Sequence, residues 1–402
     1  MKDITRIVVC GTGSSAHVLA GVLSTTDQVD VRILTLDQEK SKQWNTAIVA
    51  SGLTILGGSG RGASMKSSRI LITHNAEDAA RECDLIIFAA PAFLHAAYFE
   101  RLNPHVREGC VIVGLPGQPG FEFEARNALG AKLDECVLVS FESSPWVCRL
   151  VEFGSIAEIL GTKSRLVGAA QGEPSNARLK NPIELLQMLF GEFPRLIVSG
   201  HLLGISLRSP NACSHPPILY GRWRHWDGSP LNFEPLFYYE VDEETAQLLT
   251  QISDEVLLTS RTIMREYPTI DLSQVIPIYD WDIGTYGDVI KDKTNLLTAL
   301  RTNSSYAGIR HPMVKTPEGR YVPDFKHRFL TEDVPFGLAV VRGIAEIVGV
   351  STPSIDTVLV WSQNKLQKEY LIGSKLQGKD IGSTRCPQKY GYVTISDLLG
   401  AT

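Results

Sequence analysis

Short apolar runs separated by amphipathic or loop segments dominate the first half of the chain. The strongest runs are rich in β-branched residues and lack polar alternation, which is typical of parallel strands buried on both faces. Helical segments between successive runs would supply the crossovers that parallel strands need. We therefore predict a doubly wound α/β sheet with strands at 4–10, 29–34, 70–72, 85–90, 111–115 and 137–141, and weaker strands at 156–160, 166–170 and 196–199.

The pattern changes near residue 205, where helical periodicity replaces the strands. Residues 242–266 are rich in Leu and Glu, residues 332–348 are apolar with Ala and Gly, and residues 354–367 are amphipathic. Each segment has the length and periodicity of a helix. We predict two domains, a doubly wound domain at 1–204 and a mostly α-helical domain at 205–402.

Composition and charge exclude several classes of protein. The 402 residues are 44% hydrophobic and 21% charged, as in ordinary globular proteins, and the net charge is −5. A nucleic-acid binder would need a basic face, so no nucleic-acid partner is expected. The longest apolar stretch, residues 85–97, is interrupted by Pro91 and His95, so we expect no membrane partner either.

The seven cysteines are scattered, odd in number and lack a CxxC pair. Neither a disulfide framework nor a metal site is therefore predicted. We expect reduced thiols and a cytoplasmic location. The sequence gives no indication of the oligomeric state.

The first predicted strand ends in the sequence Gly11-Thr-Gly13-Ser14-Ser15-Ala16, which opens the first helix. In a GxGxxA loop the first glycine permits a sharp turn, the second lets the backbone approach a pyrophosphate, and the alanine keeps helix and strand close. The helix N-terminus supplies N–H groups for the anion. The context predicts a Rossmann-type dinucleotide site, against the alternative of an ordinary strand–turn–helix.

The second strand ends in Leu34-Thr35-Leu36-Asp37, where an acidic residue would bind the ribose hydroxyls. Asp37 lies at least one position late, and capping of the next helix explains it equally well. Because no arginine follows Leu36 directly, NAD is favoured over NADP. Thr35 and Asp37 join the loop as candidate cofactor-binding residues.

Among nine histidines, His215 has an unusual setting, since Pro216 and Pro217 follow it. The residue before a proline is disfavoured in the helical conformation, and proline suits the first helical turn. We therefore predict that His215 lies at the mouth of a helix with its backbone held, as a general acid would require. A capping or core histidine is an equal alternative.

A second polar cluster lies at residues 326–335. Thr331 would make a good N-cap, with Glu332 and Asp333 in the first turn of the following helix, which is a complete structural explanation. Functionally, Arg328 could bind a substrate carboxylate while Asp333 orients an imidazole. A third segment, the glycine-rich loop at 114–120, follows a strand; either close approach of a ligand or a simple turn explains its glycines.

Seven motifs together resemble the invertebrate opine dehydrogenases, which include octopine, tauropine, alanopine and strombine dehydrogenases. They occur in the family's order and cover nearly the whole chain: GTGSSAH at 11–17, GLPGQPGFEF at 114–123, FESSPWVC at 141–148, HPPILYGRW at 215–223, YDW at 279–281, RFLTED at 328–333 and TRCPQKYG at 384–391.

This resemblance implies an NADH-dependent reductive condensation of pyruvate with the amine of an amino acid, which regenerates NAD in anaerobic glycolysis. His215 would be the acid/base, Asp333 would orient it, and Arg328 would hold a substrate carboxylate. The condensation needs a proton donor, and an imidazole beside a carboxylate can give and take a proton near neutral pH.

The resemblance also places Gln118, Glu142, Cys148 and Trp281 at positions that line the amino-acid pocket of the family. A loop amide, a strand-end carboxylate, a buried thiol and a core aromatic residue are the structural alternatives. The segment 209–214 before His215 departs from the bulky approach of octopine dehydrogenase. Arginine, taurine, glycine, alanine and β-alanine all remain open as the amine.

Two other functions compete with this one. An NAD(P)-dependent hydroxy-acid dehydrogenase of similar plan would reduce a keto acid without an amine. A dinucleotide-binding protein without catalysis is also possible in principle, but the presence of His215, Arg328 and Asp333 argues against it.

Overall fold

A computed structural model describes residues 4–57, 65–67, 70–172 and 179–400. The chain divides into two compact units, Met1–Leu202 and Leu203–Thr402. None of the seven cysteines forms a disulfide. No helix in the described ranges is long and apolar enough to cross a membrane.

The first unit is an α/β unit whose described elements alternate as the apolar pattern predicts. Its strands are β1 Thr5–Cys10, β2 Val29–Leu34, β3 Leu53–Gly57, β4 Met65–Ser67, β5 Ile70–Thr73, β6 Leu85–Phe88, β7 Val111–Gly114, β8 Val137–Phe141, β9 Trp146–Glu152, β10 Ile156–Thr162, β11 Arg165–Gln171 and β12 Arg195–Val198. Its helices are α1 Ser14–Leu23, α2 Gln38–Ser51, α3 Ala76–Ala80, α4 His95–Leu102, α5 Phe121–Leu129 and α6 Pro182–Phe190, with 3₁₀ turns at Ala92–Leu94 and Gly130–Glu135.

Eight of these strands form one sheet in the order β12-β11-β8-β7-β6-β1-β2-β5. The six from β5 to β8 are parallel, and β6, β7 and β8 are buried along their whole length. The predicted doubly wound sheet with strands buried on both faces is therefore confirmed.

The sheet is not parallel throughout, which corrects one part of the prediction. Strand β11 runs antiparallel to β8, and β12 pairs in parallel with β11. Only the β9–β10 hairpin separates β8 from β11, and no crossover helix lies between them, so the chain returns in the opposite direction. The predicted strand at 156–160 belongs to a separate four-stranded sheet, β4-β3-β10-β9.

The second unit is mostly helical, as predicted. Its helices are α7 Leu202–Leu207, α8 Pro210–Trp223, α9 Glu243–Glu266, α10 Ile278–Tyr286, α11 Leu296–Thr302, α12 Arg328–Thr331, α13 Ala339–Val348, α14 Pro353–Leu366 and α15 Ile395–Leu399. Shorter elements are a π-helical turn at Val334–Leu338, 3₁₀ turns at Gly287–Val289, Ser304–Tyr306, Ile381–Ser383 and Pro387–Tyr390, and strands β13 Met313–Lys315, β14 Tyr321–Pro323, β15 Leu371–Ile372 and β16 Lys375–Leu376.

The helix predicted at 332–348 is interrupted. Thr331 is not an N-cap; it lies in the last position of α12, whose cap is His327. Pro335 has no N–H to donate to the carbonyl of Thr331, so the ladder shifts to i→i−5 hydrogen bonds. Asp333 N donates to Arg328 O (3.2 Å) and Leu338 N to Asp333 O (2.8 Å). Regular α-helix resumes at Ala339.

His17 ties helix α1 to the second sheet of the first unit. Its ring stacks on Trp44 with centroids 3.7 Å apart. Nδ1 donates to Gly13 O (2.9 Å), and Nε2 accepts from Gly154 N (3.0 Å) in the β9–β10 turn. Only the neutral ring with its proton on Nδ1 satisfies both bonds. Burial lowers the pKa of His17 to about 4.

We expect this histidine to make stability depend on pH. The unfolded chain binds a proton at His17 near pH 6.5, whereas the folded unit does so only near pH 4, so stability falls as the pH drops through this window. His17→Gln keeps an amide donor and acceptor but does not titrate. The unfolding free energy of the wild type relative to this variant should fall by roughly 3 kcal/mol between pH 7 and pH 4.

Urea unfolding followed by tryptophan fluorescence at several pH values measures this difference. The matched control is His74→Gln, which makes the same substitution at an exposed histidine of the same unit. Parallel stability curves for the wild type and the His17 variant would contradict the expected titration.

Candidate active site

His215 lies inside helix α8, not at its mouth. The helix begins one turn earlier, at Pro210, where Ser209 Oγ accepts from Ala212 N, and Pro216 and Pro217 continue it. The prediction from the His-Pro sequence was therefore wrong. The conformational bias before a proline is only a preference, and here the buried side of α8 outweighs the two hydrogen bonds that the prolines cannot make.

His215 and Asp333 form a buried pair. Nδ1 of the imidazole lies 2.7 Å from Asp333 Oδ2, and both side chains are at least nine-tenths buried. Because the carboxylate only accepts, Nδ1 carries the hydrogen and Nε2 is left for a second partner. That partner is the Tyr238 hydroxyl, 3.2 Å away. Phe329 stacks on the imidazole at 3.8 Å and fixes the plane of the ring.

Arg328 lies one turn before Asp333, but its guanidinium does not pair with that carboxylate. Its Nη2 is 2.6 Å from Glu332 Oε2, and the arginine side chain is 59% exposed while the glutamate side chain is 2% exposed. The buried carboxylate therefore holds one edge of a guanidinium that still faces solvent. A planar guanidinium held in this way can bind a second carboxylate. Glu332 was assigned only a dipole role from the sequence.

A row of aromatic side chains extends from His215 through the second unit. Tyr238 stacks on Tyr306 with centroids 3.9 Å apart and planes 14° apart. Tyr306 also meets the edge of Tyr286 at 5.2 Å, and Tyr286 meets Trp281 at 6.0 Å. Sequence reasoning missed the tyrosines, because they are far apart in the chain and no spacing relates them.

Asp282 anchors the middle of this row. Tyr306 Oη donates to Asp282 Oδ1 at 2.7 Å, and both groups are buried. The other oxygen, Oδ2, has no hydrogen-bond partner among the described residues. Burial raises the pKa of Asp282 to about 6. It also raises the pKa values of Tyr238 and Tyr306, so both phenols stay protonated in the usual working range.

Trp281 belongs to a pocket of the second unit. Ser209, Pro210 and Cys213 line it from the start of α8, and Ile278 lines it from α10. Since His215 follows Cys213 in the same helix, the predicted amine-pocket tryptophan and the predicted acid/base belong to one part of this unit.

The loop after β1 has the form that a pyrophosphate requires. Gly11 has a φ of +147°, and a Cβ there would lie 2.5 Å from Ala89 O, so only glycine fits. At Gly13 an added Cβ would meet nothing within 4 Å, and no side chain caps helix α1. Open space in front of uncapped N–H groups, including those of Ser14 and Ser15, suits an anion. The residues present therefore fit a dinucleotide.

Asp37 caps helix α2, which is one of the two interpretations that its sequence position allowed. Its Oδ1 accepts from Glu39 N (2.8 Å) and Lys40 N (3.2 Å). Thr35 Oγ1 donates to the backbone carbonyl of Asp37 (2.8 Å) and thereby fixes the end of β2. Asp37 Oδ2 makes no hydrogen bond within the described part of the chain, so capping leaves that oxygen for a ribose hydroxyl.

The other predicted pocket residues lie in the first unit. Gln118 has a φ of +63° in the glycine-rich loop. A Cβ on Gly114 or Gly117 would collide with Gly117 Cα or Ser140 Oγ, so a tightly packed turn explains these glycines. Glu142 follows β8 directly, and its Oε1 accepts from Val167 N (3.3 Å).

Cys148 and Lys163 add two half-buried groups, of which Lys163 lies near Glu142. Burial raises the pKa of Cys148 to about 12, and a hydrogen bond with Ser15 of the cofactor loop opposes the rise. Lys163 Nζ contacts Ser143 Oγ. Burial lowers the pKa of Lys163 to about 8, against the attraction of Glu142 and Cys148. The sequence did not single out this lysine, which no motif marks.

Comparison with known proteins assigns the family. Residues 198–366 match the family model of the NAD/NADP octopine/nopaline dehydrogenase α-helical domain. The chain is 41% identical to the tauropine dehydrogenase of Arabella iricolor, covering 98% of this chain and 99% of that one. It is 42% identical to the octopine dehydrogenase of Pecten maximus, covering 98% of each chain.

A solved structure of octopine dehydrogenase with NADH and L-arginine matches with a TM-score of 0.94 at 40% identity, covering 99% of this chain and 98% of that one. The resemblance inferred from the seven motifs is confirmed. Because the relatives match nearly the whole of both chains at more than 40% identity, this chain belongs to the octopine dehydrogenase family of NAD-dependent opine dehydrogenases.

Proposed function

We propose that this enzyme condenses pyruvate with the amine of an amino acid and reduces the product to an N-(1-carboxyethyl) amino acid. The observation that carries the proposal is the buried His215–Asp333 pair, in which one imidazole nitrogen is fixed and the other is left for proton transfer. Relatives named for tauropine and octopine support the reaction class.

The loop residues Gly11, Gly13, Ser14, Ser15 and Ala16 would hold the pyrophosphate of NADH, with Thr35 and Asp37 at the ribose. The bound nicotinamide supplies a hydride. The open space at Gly13 supports this assignment, because backbone N–H groups can approach the phosphates there without a side chain in the way.

His215 acts as the acid/base through Nε2. Asp333 keeps the hydrogen on Nδ1 and stabilises the ring when Nε2 is protonated. The protonated ring first polarises the keto oxygen and then protonates the hydroxyl that leaves as water. A positioned proton donor of this kind contributes roughly 10²–10⁴-fold to the rate.

Arg328 binds the carboxylate of pyruvate. Its pairing with buried Glu332 fixes the guanidinium plane, and its exposure leaves donors for a substrate. The family resemblance assigns Gln118, Glu142 and Cys148 of the first unit, and Trp281 of the second, to the amine substrate. Lys163 beside Glu142 places a cation and an anion near each other there, which suits a zwitterionic amine.

The choice among arginine, taurine, glycine, alanine and β-alanine follows from a substrate panel. We expect NADH oxidation with pyruvate to be slow alone and to accelerate strongly with at least one of these amines. Absorbance at 340 nm gives the rate, and mass spectrometry identifies the N-(1-carboxyethyl) product. Turnover with pyruvate that no amine changes would instead identify a hydroxy-acid dehydrogenase.

Replacement of His215 by alanine should abolish most turnover while leaving NADH binding intact. The variant loses the proton donor, so kcat should fall by about 10²–10⁴-fold. Quenching of tryptophan fluorescence by NADH measures the binding. An equal loss of NADH affinity would place His215 at the cofactor and contradict the assigned role.

Replacement of Arg328 by alanine should raise the KM for pyruvate. Loss of a charged hydrogen-bond pair costs about 1.5–3 kcal/mol, or roughly 10–100-fold in KM. Initial rates at saturating amine measure the change, and Arg328→Lys should recover only part of it because lysine lacks the planar fork. An unchanged KM would assign the carboxylate to another residue.

A further inference from the structure

We propose that Tyr238 is a second hydrogen-bond donor to the substrate oxygen that leaves as water, acting beside His215, and that Tyr306 and Asp282 hold it in place. This inference rests on the proposed condensation and names a further residue for it.

The Tyr238 hydroxyl lies beside the imidazole nitrogen that substrate can reach. With Nδ1 of His215 committed to Asp333, substrate can meet the imidazole only at Nε2, and the Tyr238 oxygen lies 3.2 Å from that atom. An oxygen bound to Nε2 at an ordinary hydrogen-bond distance is then also within reach of the phenol. Once Nε2 is protonated it no longer accepts from the phenol, so the imidazolium and the Tyr238 hydroxyl can both donate to one oxygen.

Side-chain contacts hold Tyr238 in place. It lies in the non-helical segment between α8 and α9, so no helix fixes its side chain. The ring is instead stacked on Tyr306, and the Tyr306 hydroxyl is anchored on buried Asp282. Burial of a carboxylate costs free energy. The use of Asp282 to hold Tyr306, on which Tyr238 stacks, therefore indicates that the position of Tyr238 matters.

The phenol of Tyr238 is protonated at working pH. Burial raises the pKa of Tyr238, and the neighbouring Asp282, Asp333 and Tyr286 raise it further. The group is therefore a donor, not a base, at working pH. It can support a proton transfer from His215 without competing for the proton.

The step is a dehydration without change of oxidation state. The amine has added to the keto carbon of pyruvate to give a carbinolamine. Protonated His215 transfers its Nε2 proton to the carbinolamine hydroxyl, the C–O bond breaks, and water departs with the bonding electrons. The nitrogen lone pair forms the C=N bond of the iminium. Tyr238 donates a hydrogen bond to the departing oxygen throughout.

The test compares wild type with Tyr238→Phe in single turnovers, with pyruvate and the preferred amine, using NADH and NADH deuterated at the transferred position. We expect the rate to fall by about 10²–10³-fold, the range for loss of one such donor. The primary isotope effect should fall towards one, because dehydration becomes the slow step. NADH affinity, measured by fluorescence, should not change.

Tyr239→Phe is the matched control. Tyr239 is the next residue, and its hydroxyl donates to Asn303 O rather than to His215, so its rate and isotope effect should match wild type. A rate for Tyr238→Phe within twofold of wild type would overturn the proposal. So would a slower rate with an unchanged or larger isotope effect, since that result means a misplaced hydride acceptor.

The anchor is tested separately. Asp282→Ala should move the rate and the isotope effect in the same direction as Tyr238→Phe. Asp282→Asn keeps an acceptor for Tyr306, so it should recover part of the rate that the alanine variant loses. Equal behaviour of the two Asp282 variants would contradict the positioning role. Absence of amine-dependent turnover in the wild type would refute the proposed function itself, which is a distinguishable result.

Discussion

The hydrogen bond between Asp333 and His215 is the constraint around which the second unit is organised. A buried carboxylate is tolerated only with a strong hydrogen-bond partner. The imidazole donates to Asp333 from Nδ1 and keeps Nε2 for a second partner. Helix α8 carries the imidazole, Asp333 directly precedes the π-helical turn, and Phe329 stacks on the ring. Chemistry and packing therefore depend on the same contact.

The first unit depends on a different kind of contact. Its cofactor loop is shaped by backbone, through Gly11 against Ala89 and through the open space at Gly13. The neutral ring of His17 donates to the loop carbonyl of Gly13 and accepts from Gly154 N in a turn of the second sheet. A ligand that binds through backbone N–H groups needs such rigid support, because these groups move only when the chain itself moves.

The sequence predicted the parallel strands from their uninterrupted apolar runs and the long helices from their helical periodicity. Residues 137–141 form a buried strand as expected, and 242–266 form helix α9, which Asp242 caps. It did not predict the direction of β11, since direction depends on the connection and not on the strand. Strands β3, β4 and β9 were missed because β4 has only three residues, and polar or glycine residues in β3 and β9 interrupt the apolar run that marked the other strands.

The sequence likewise predicted one part of the candidate site and missed another. His215, Asp333 and the GxGxxA loop were found from local context and from motif order. Tyr238, Tyr306 and Asp282 were not, because their relation exists only after folding. Local rules also failed at His215 and Thr331, where tertiary packing and one proline outweighed the preferences of single residues.

The π-helical turn has a consequence for the phase of the helix that follows it. Each i→i−5 step accommodates one more residue than an α-helical turn, and one residue corresponds to about 100° of rotation about the axis. Asp333 opens this turn, and α13, whose residues are mostly buried, follows it directly. Removal of a single residue from Val334–Leu338 would therefore leave a regular helix that could bury α13 or direct Asp333 at His215, but not both.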